Sequence, residues 1–405
     1  MNFMKLIIRP IWRLYLKIYR TVLQFLISKE VVFRYHFFDR HKIKASFDFE
    51  VTCKRAEAFC ISCQSENSKA NFVYSHSSKE ETLYASVYAC LLTEITYGLT
   101  ERLEIENQRW LRYFDSFQSA ETGLFFDEAI ECEWFPDSDW WGARHLALHL
   151  IGAYRVLGAI PKYEFKFLEN YNSIEKINLL LPTSWNEVYS PDSDFDNKLM
   201  NIICLMQFER DFRGLNIYNG VIDHVIAALV NNINEYTGLW GRTPRTNDEL
   251  SRSVQIAYHL IPILAYDSIE IFQYERMAES VLATQNKAGG YGVALNSSAC
   301  EDIDSSDLLI WMYPYLKHDT QLIVNVSLWK HAEWVTSNQC RDGGFVFRKH
   351  QKFIYGHRNM GASAQHGAMF PTWFRMLSLC HLEQHLNGKQ IAHHRSPGYY
   401  FLGQR

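Results

Sequence analysis

No segment of this 405-residue chain approaches the roughly 20 consecutive apolar residues that a membrane span requires. No small-residue cleavage site closes the N-terminal stretch as in a secretory signal. Strong charge of either sign is also lacking: the net charge of −4 gives no general reason to expect a nucleic-acid partner. The nine cysteines are odd in number and sit mostly within apolar helical runs, as at Cys90, Cys204 and Cys380. They make no disulfide framework and fit buried thiols in a reducing compartment, a cytoplasmic setting. Cys60-Ile-Ser-Cys63 has redox or zinc spacing, but no second pair follows it. A phosphate-binding glycine loop, a nucleophile elbow, a Cys/His finger and a His-Glu-x-x-His signature are all absent, which removes the chemistry each would carry.

What is present is a repeat. Four segments share one turn pattern: Gln118-Ser-Ala-Glu-Thr-Gly123, Ile233-Asn-Glu-Tyr-Thr-Gly238, Gln285-Asn-Lys-Ala-Gly289-Gly290 and Gln339-Cys-Arg-Asp-Gly343-Gly344. Their last glycines are 115, 52 and 54 residues apart, so one copy has decayed near residues 180–190. A unit of this period cannot bury its apolar face alone and must stack on its neighbours. Apolar helical segments follow the turns and start near residues 82, 140, 195, 249, 303 and 363. Between them lie amphipathic, charge-flecked stretches such as Glu101–Phe117, Leu215–Asn231, Ile269–Gln285 and Leu322–Ser337, whose mixed faces suit an outer layer. Six apolar helices within a ring of outer ones make an all-α (α/α)6 toroid, six inner and six outer helices, over residues 40–390. Nearly half the residues are apolar and 15% are aromatic, ample for so large a core.

Residues 1–30 stand outside the repeat. Lys5, Arg9, Arg13, Lys17 and Arg20 recur at three- and four-residue spacing, and no acid precedes Glu30. A basic amphipathic helix carrying interfacial Trp and Tyr predicts peripheral association with an anionic membrane surface. Residues 391–405 read as a C-terminal tail.

In a toroid the inner helices bring their N-terminal ends around one mouth of the cavity, so polar residues in those first turns are the site candidates. Single acids there are expected as helix caps, which accounts for Asp139, Asp194, Asp196 and Asp248. Asp302-Ile-Asp304-Ser-Ser-Asp307, with Glu301 beside it, supplies more acids than one cap needs. Arg144, His145 and Arg252 are placed to bind an anionic substrate group, alongside Trp140 and Asp307. His357-Arg358-Asn359 lies in a glycine-flanked loop before the last inner helix and is expected near the mouth.

The glycine turns and the six-fold helical repeat resemble those of squalene-hopene cyclases, oxidosqualene cyclases and the β subunits of protein prenyltransferases, over about residues 80–380. Asp302-Ile-Asp304-Ser305 resembles the Asp-x-Asp-Asp motif of proton-initiated terpene cyclases, with Ser at the fourth position. That resemblance implies Asp304 as general acid, Asp302 as its neighbour and His366 as its hydrogen-bond partner. A carboxyl kept protonated by burial and a nearby carboxylate can deliver a proton to an alkene or epoxide. It further implies a hydrophobic isoprenoid or lipid substrate and no cofactor. Such cyclases use two helical domains, so a partner chain or a homodimer would complete the site here. The prenyltransferase resemblance implies instead a zinc or other divalent metal on Asp302, Asp304 and His366, with Asp302 and Asp304 at the positions of that family's Asp and Cys ligands and Cys300 a possible substitute for the missing thiolate.

Two further functions compete. A glycan-active (α/α)6 enzyme would use paired carboxylates among Asp302, Asp304 and Glu128, with aromatics stacking on sugars. A non-catalytic toroid would bind a lipid or a protein, and a plugged interior would mark it. A fold alone does not decide between these readings.

Overall fold

The computed structural model describes residues 48–66, 70–97, 104–130, 142–190, 193–389 and 395–399, together with Ile18 and Val22. The expected basic helix over residues 1–30 lies otherwise outside the described residues, as does Trp140. No helix among the described residues is long and apolar enough to cross a membrane.

Among the described residues, twelve α-helices alternate between an outer and an inner layer. The outer helices are α1 (Phe49–Ser62), α3 (Glu104–Asp115), the single turn α5 (Ile174–Ile177), α7 (Asn219–Asn231), α9 (Tyr274–Leu282) and α11 (His318–Thr336). The inner helices are α2 (Leu83–Tyr97), α4 (Ala143–Val156), α6 (Phe195–Arg213), α8 (Asn247–Tyr266), α10 (Ala299–Met312) and α12 (Met369–Asn387). Each inner helix packs on the next, and α12 packs back on α2, so the ring closes. This is the (α/α)6 toroid that the repeat spacing predicts. The inner helices are apolar on most sides because they are buried on most sides. In α4, Leu146, Ala147, Leu150, Ile151 and Ala153 are fully enclosed.

The glycine turns bind the layers together. Gln118 Nε2 donates to the Gly123 carbonyl (2.8 Å) within its own turn and to the Tyr163 carbonyl (2.9 Å) in the segment leading to the next outer element. Gln285 repeats this with Gly289 (3.1 Å) and Ser327 of α11 (2.9 Å). Gln339 does so with Gly343 (2.9 Å) and Thr52 of α1 (3.0 Å). One amide thus holds a turn closed and fastens it to the following repeat, and the last of them joins the end of the ring to its beginning. The glycines are needed twice over. Gly123, Gly238, Gly289 and Gly343 have φ of +78°, +71°, +95° and +92°, in the left-handed region. A Cβ at Gly343 would lie 2.1 Å from the Arg55 carbonyl oxygen, and one at Gly123 2.0 Å from that of Glu164. The conformationally equivalent glycines in the last two copies are therefore the first of each Gly-Gly pair. Gly344 instead admits the ring of Phe59.

The expected starts of the inner helices fall within four residues of the observed ones except the last, which begins at Met369 rather than near 363. The intervening chain forms a hairpin, β1 (Phe353–Ile354) with antiparallel β2 (Gly361–Ala362), then a turn closed by Ser363. Gly367 next passes so near Gly344 that neither can carry a side chain. Helical geometry begins only beyond that crossing. The decayed repeat survives as 3₁₀ turns at Lys166–Tyr171 and Trp185–Glu187 around α5.

Gly343→Ala adds left-handed strand strain to a backbone collision and should cost about 2–4 kcal/mol in urea unfolding. Gly158 has φ of +70° but open space around its missing Cβ. Gly158→Ala should therefore cost only about 1 kcal/mol. Equal costs would mean that the docking of the turn on α1 contributes nothing.

Candidate functional site

Helix α10 starts with a capping box: Ser298 Oγ accepts from the Glu301 amide (3.2 Å), and the Glu301 carboxylate accepts from the Ser298 amide (2.7 Å). Glu301 also pairs with Arg348 at 2.8 Å. One acid of the cluster is thus the cap. Asp302 is fully committed elsewhere. Its Oδ1 accepts from the Tyr291 amide (3.0 Å) and Ser297 Oγ (2.7 Å), and its Oδ2 accepts from Trp334 Nε1 (3.0 Å) and Arg375 (2.7 Å). Arg375, 1% exposed, also donates to the Val346 and Phe347 carbonyls, both at 3.0 Å. This buried ion pair ties the turn before α10 to α11, α12 and the following loop. Asp302 has no acceptor capacity left for substrate or metal, which corrects its expected catalytic role.

His366 also departs from expectation. It lies before α12, exposed, with Nδ1 against Ser363 Oγ (2.5 Å). It lines an outer groove of about 1040 Å³ with His76, Asp342 and Lys349. It therefore does not meet Asp304, because the inner helix starts later than the apolar pattern suggests. The Asp302–Asp304–His366 metal set is not assembled, and among the described residues no group of three His, Cys, Asp or Glu side chains is placed to hold a metal. Glu128 is exposed and does not form a carboxylate pair with Asp304.

Asp304 is 2% exposed, on the second turn of α10. Burial pushes its carboxyl well above the usual range, and the negative charges of Glu301 and Asp307 push the same way, against the pull of Arg252. No hydrogen bond to its carboxyl is found among the described residues, so nothing stabilises the ionised form by direct contact. Both influences favour the protonated form over the carboxylate. Asp307 is not a solvated first-turn acid: its carboxylate faces His381 Nδ1 (2.8 Å) and Tyr258 OH (3.4 Å) and is 1% exposed.

The neighbouring helices supply a base. Asp196, in the first turn of α6, receives two bonds from Arg252 (2.6 and 3.0 Å) and one from His259 Nδ1 (2.7 Å). Burial alone would raise its pKa, but His259 and Arg252 outweigh burial and hold it at about 2. An ionised carboxylate only accepts, so Nδ1 of His259 carries the proton donated to Asp196, and Nε2 is the ring's second nitrogen. Nε2 has no hydrogen-bond partner among the described residues, and the side chain keeps 14% of its surface accessible. A carboxylate-oriented imidazole with a free second nitrogen is the geometry of a general base. Arg252 and His259 are seven residues apart on α8, two helical turns on one face. That spacing was the available signal for His259, whereas Asp196 looks in the sequence like an ordinary cap. The expected anion-binding role of Arg252 gives way to its clamp on Asp196.

His145, on the first turn of α4, lies near His259, and burial first, then the charge of His259, lowers its pKa to about 3. Its Nε2 is 3.3 Å from Nε2 of His149, itself held neutral by burial. Its Nδ1 reaches Tyr84 OH (3.3 Å) and Tyr355 OH (3.4 Å), and Tyr355 bonds Tyr88 OH at 2.8 Å. Tyr355 comes from the hairpin that holds His357-Arg358-Asn359, so this loop does reach the interior, through a tyrosine that sequence reasoning passed over. Arg144 donates to Tyr171 OH at 3.0 Å and is buried.

No protein-family model matches the chain, and no curated protein matches it. Among solved structures it is similar to a polysaccharide lyase, at 14% identity and a TM-score of 0.47, with 85% of this chain and 99% of that one covered.

Proposed function

We propose that this protein is a glycan-active enzyme whose chemistry is proton transfer inside the ring, with Asp304 as general acid and His259 as general base. The observation that carries the reading is the Asp196–His259 dyad, with Nε2 free, beside a carboxyl whose surroundings favour its protonated form. An imidazole oriented by a carboxylate, near a carboxyl whose burial raises its pKa, is an arrangement suited to acid–base catalysis. Asp304 would give its proton to a departing glycosidic oxygen while His259 takes one from water or from a sugar carbon. Asp196 and Arg252 position His259 and touch no reacting atom.

The interior also favours a polyhydroxylated substrate over a hydrocarbon. Tyr84, Tyr88, Tyr355, His145 and His149 present hydroxyl and imidazole groups there. These groups already bond one another, and a hydrocarbon offers nothing to exchange into such a network. A sugar supplies partners for them. The paired-carboxylate version of the glycan reading is modified accordingly, with an imidazole in place of the second carboxylate.

Turnover should be sought on neutral and uronate-containing polysaccharides, scoring new reducing ends and new conjugated double bonds. Hydrolysis yields only the first, elimination both. His259→Gln and Asp304→Asn should each lower kcat about 100-fold or more without loss of folding. Rate should decline on the alkaline side as Asp304 ionises, and that limb should vanish in Asp304→Asn. Full activity in either variant rejects the pair. Asp302→Asn should act differently, removing about 3–5 kcal/mol of stability by stranding Arg375 in the core. A stable but inactive Asp302→Asn protein would return Asp302 to the catalytic set.

A further inference from the structure

The axis of the ring is occupied by the chain itself, the plugged interior expected of a non-catalytic toroid unless the plug can be displaced. Residues 396–399 are buried, and Tyr399 is sandwiched between two rings, one from inner helix α4 and one from α8. Its ring stacks on His149 of α4 (centroids 5.1 Å apart, 11° between planes) and on Tyr258 of α8 (5.8 Å, 27°). The edges of the slot are Phe374 and Trp373 of α12, in T-shaped contact. Gly398 makes the entry possible: its φ is +91°, and a Cβ there would press on Leu148 of α4 at 3.0 Å. Its backbone also lies near the Cys204 thiol of α6.

Arg395 is exposed, donates to the Tyr266 carbonyl at the C-terminal end of α8 (2.9 Å) and lies 4.6 Å from the centre of the Tyr266 ring. No side chain of the segment is bonded into the Gln–Gly clamps or the Asp302–Arg375 pair. The slot it fills is flanked by stacking faces on two sides and is the width of one six-membered ring.

We propose that this slot is a binding subsite for a single sugar ring, and that Tyr399 is its displaceable resident, latched by Arg395. The proposal rests on the ring interior being the active site; the stacking of a pyranose between the faces of His149 and Tyr258 deepens that reading. Removal of residues 395–399 opens the base of the ring beside Cys204 and lengthens the site beyond the acid–base pair.

Two measurements on the full chain test it. Arg395→Glu places a carboxylate against the carbonyl end of α8 and near Asp211, where it is repelled. Modification by N-ethylmaleimide, mapped by mass spectrometry, should then accelerate at Cys204 by at least about tenfold, since labelling follows the open population. Cys380, buried on α12 away from the slot, should not change. No acceleration at Cys204, or equal acceleration at Cys380, overturns the displaceable segment and makes residues 395–399 an inseparable part of the core. In the second measurement, saturation-transfer NMR of methyl β-glucopyranoside and methyl glucuronopyranoside should detect binding to Tyr399→Ala above that of the unaltered protein. Binding of p-cresol without either glycoside would overturn the sugar subsite and leave a tyrosine-shaped hole. His259→Gln in the Tyr399→Ala background should leave glycoside binding unchanged. Binding without turnover in any variant would therefore reject the acid–base pair and leave the subsite standing.

Discussion

The fold depends on one contact made repeatedly: a glutamine amide that closes its own turn and fastens that turn to the next outer segment. Each inner helix is apolar on nearly every side and gives no direction for its neighbour. The clamp supplies the direction, because its second hydrogen bond reaches only the following repeat. Gln339 closes the circle by reaching Thr52, 287 residues away. Glycine is required at the same turns because the backbone of the next segment lies where a Cβ would be. In the copy with Ile233, Asn234 donates to the Gly241 carbonyl at 2.9 Å, as Asn286 does to that of Ala294 (2.6 Å) in the copy that keeps its glutamine.

A second constraint acts inside the ring. Closing six helices around an axis leaves space that aliphatic side chains do not fill, and this chain fills it with tyrosine, histidine and buried acids. Such groups are costly without partners, and most have them: Asp302 with Arg375, Asp307 with His381, Asp196 with Arg252 and His259. The carboxyl of Asp304 and Nε2 of His259 have no hydrogen-bond partner among the described residues, and the same holds for the buried His149 Nδ1 and His331 Nε2. The first two are the candidate site because one is a carboxyl with a raised pKa and the other an imidazole oriented by a carboxylate.

The acids of α10 illustrate how far local sequence could be read. Their number exceeds what a cap requires, and that excess does mark a functional region. It does not say which acid is which. Glu301 became the cap through its spacing from Ser298, a local rule. Asp302 was taken out of the site by Arg375, 73 residues on, and by Trp334, 32 residues on. His366 was lost to the site because a close glycine–glycine crossing, invisible to hydrophobic periodicity, delays α12 by six residues. The Asp196–His259 dyad was missed because its members are 63 residues apart and each looks ordinary alone.

The sequence by itself determined the class of fold, the number of inner helices and the place of the turns. These follow from apolar period, glycine position and repeat spacing, which act over a few residues and survive without knowledge of neighbours. Tertiary structure alone decided which ionisable groups are spent on the scaffold and which remain free. It also decided that Tyr355 and Tyr399 enter the interior from loops. Protonation and hydrogen bonding depend on what lies within a few ångströms in space, and in a closed ring those neighbours come from helices one or more repeats away along the chain.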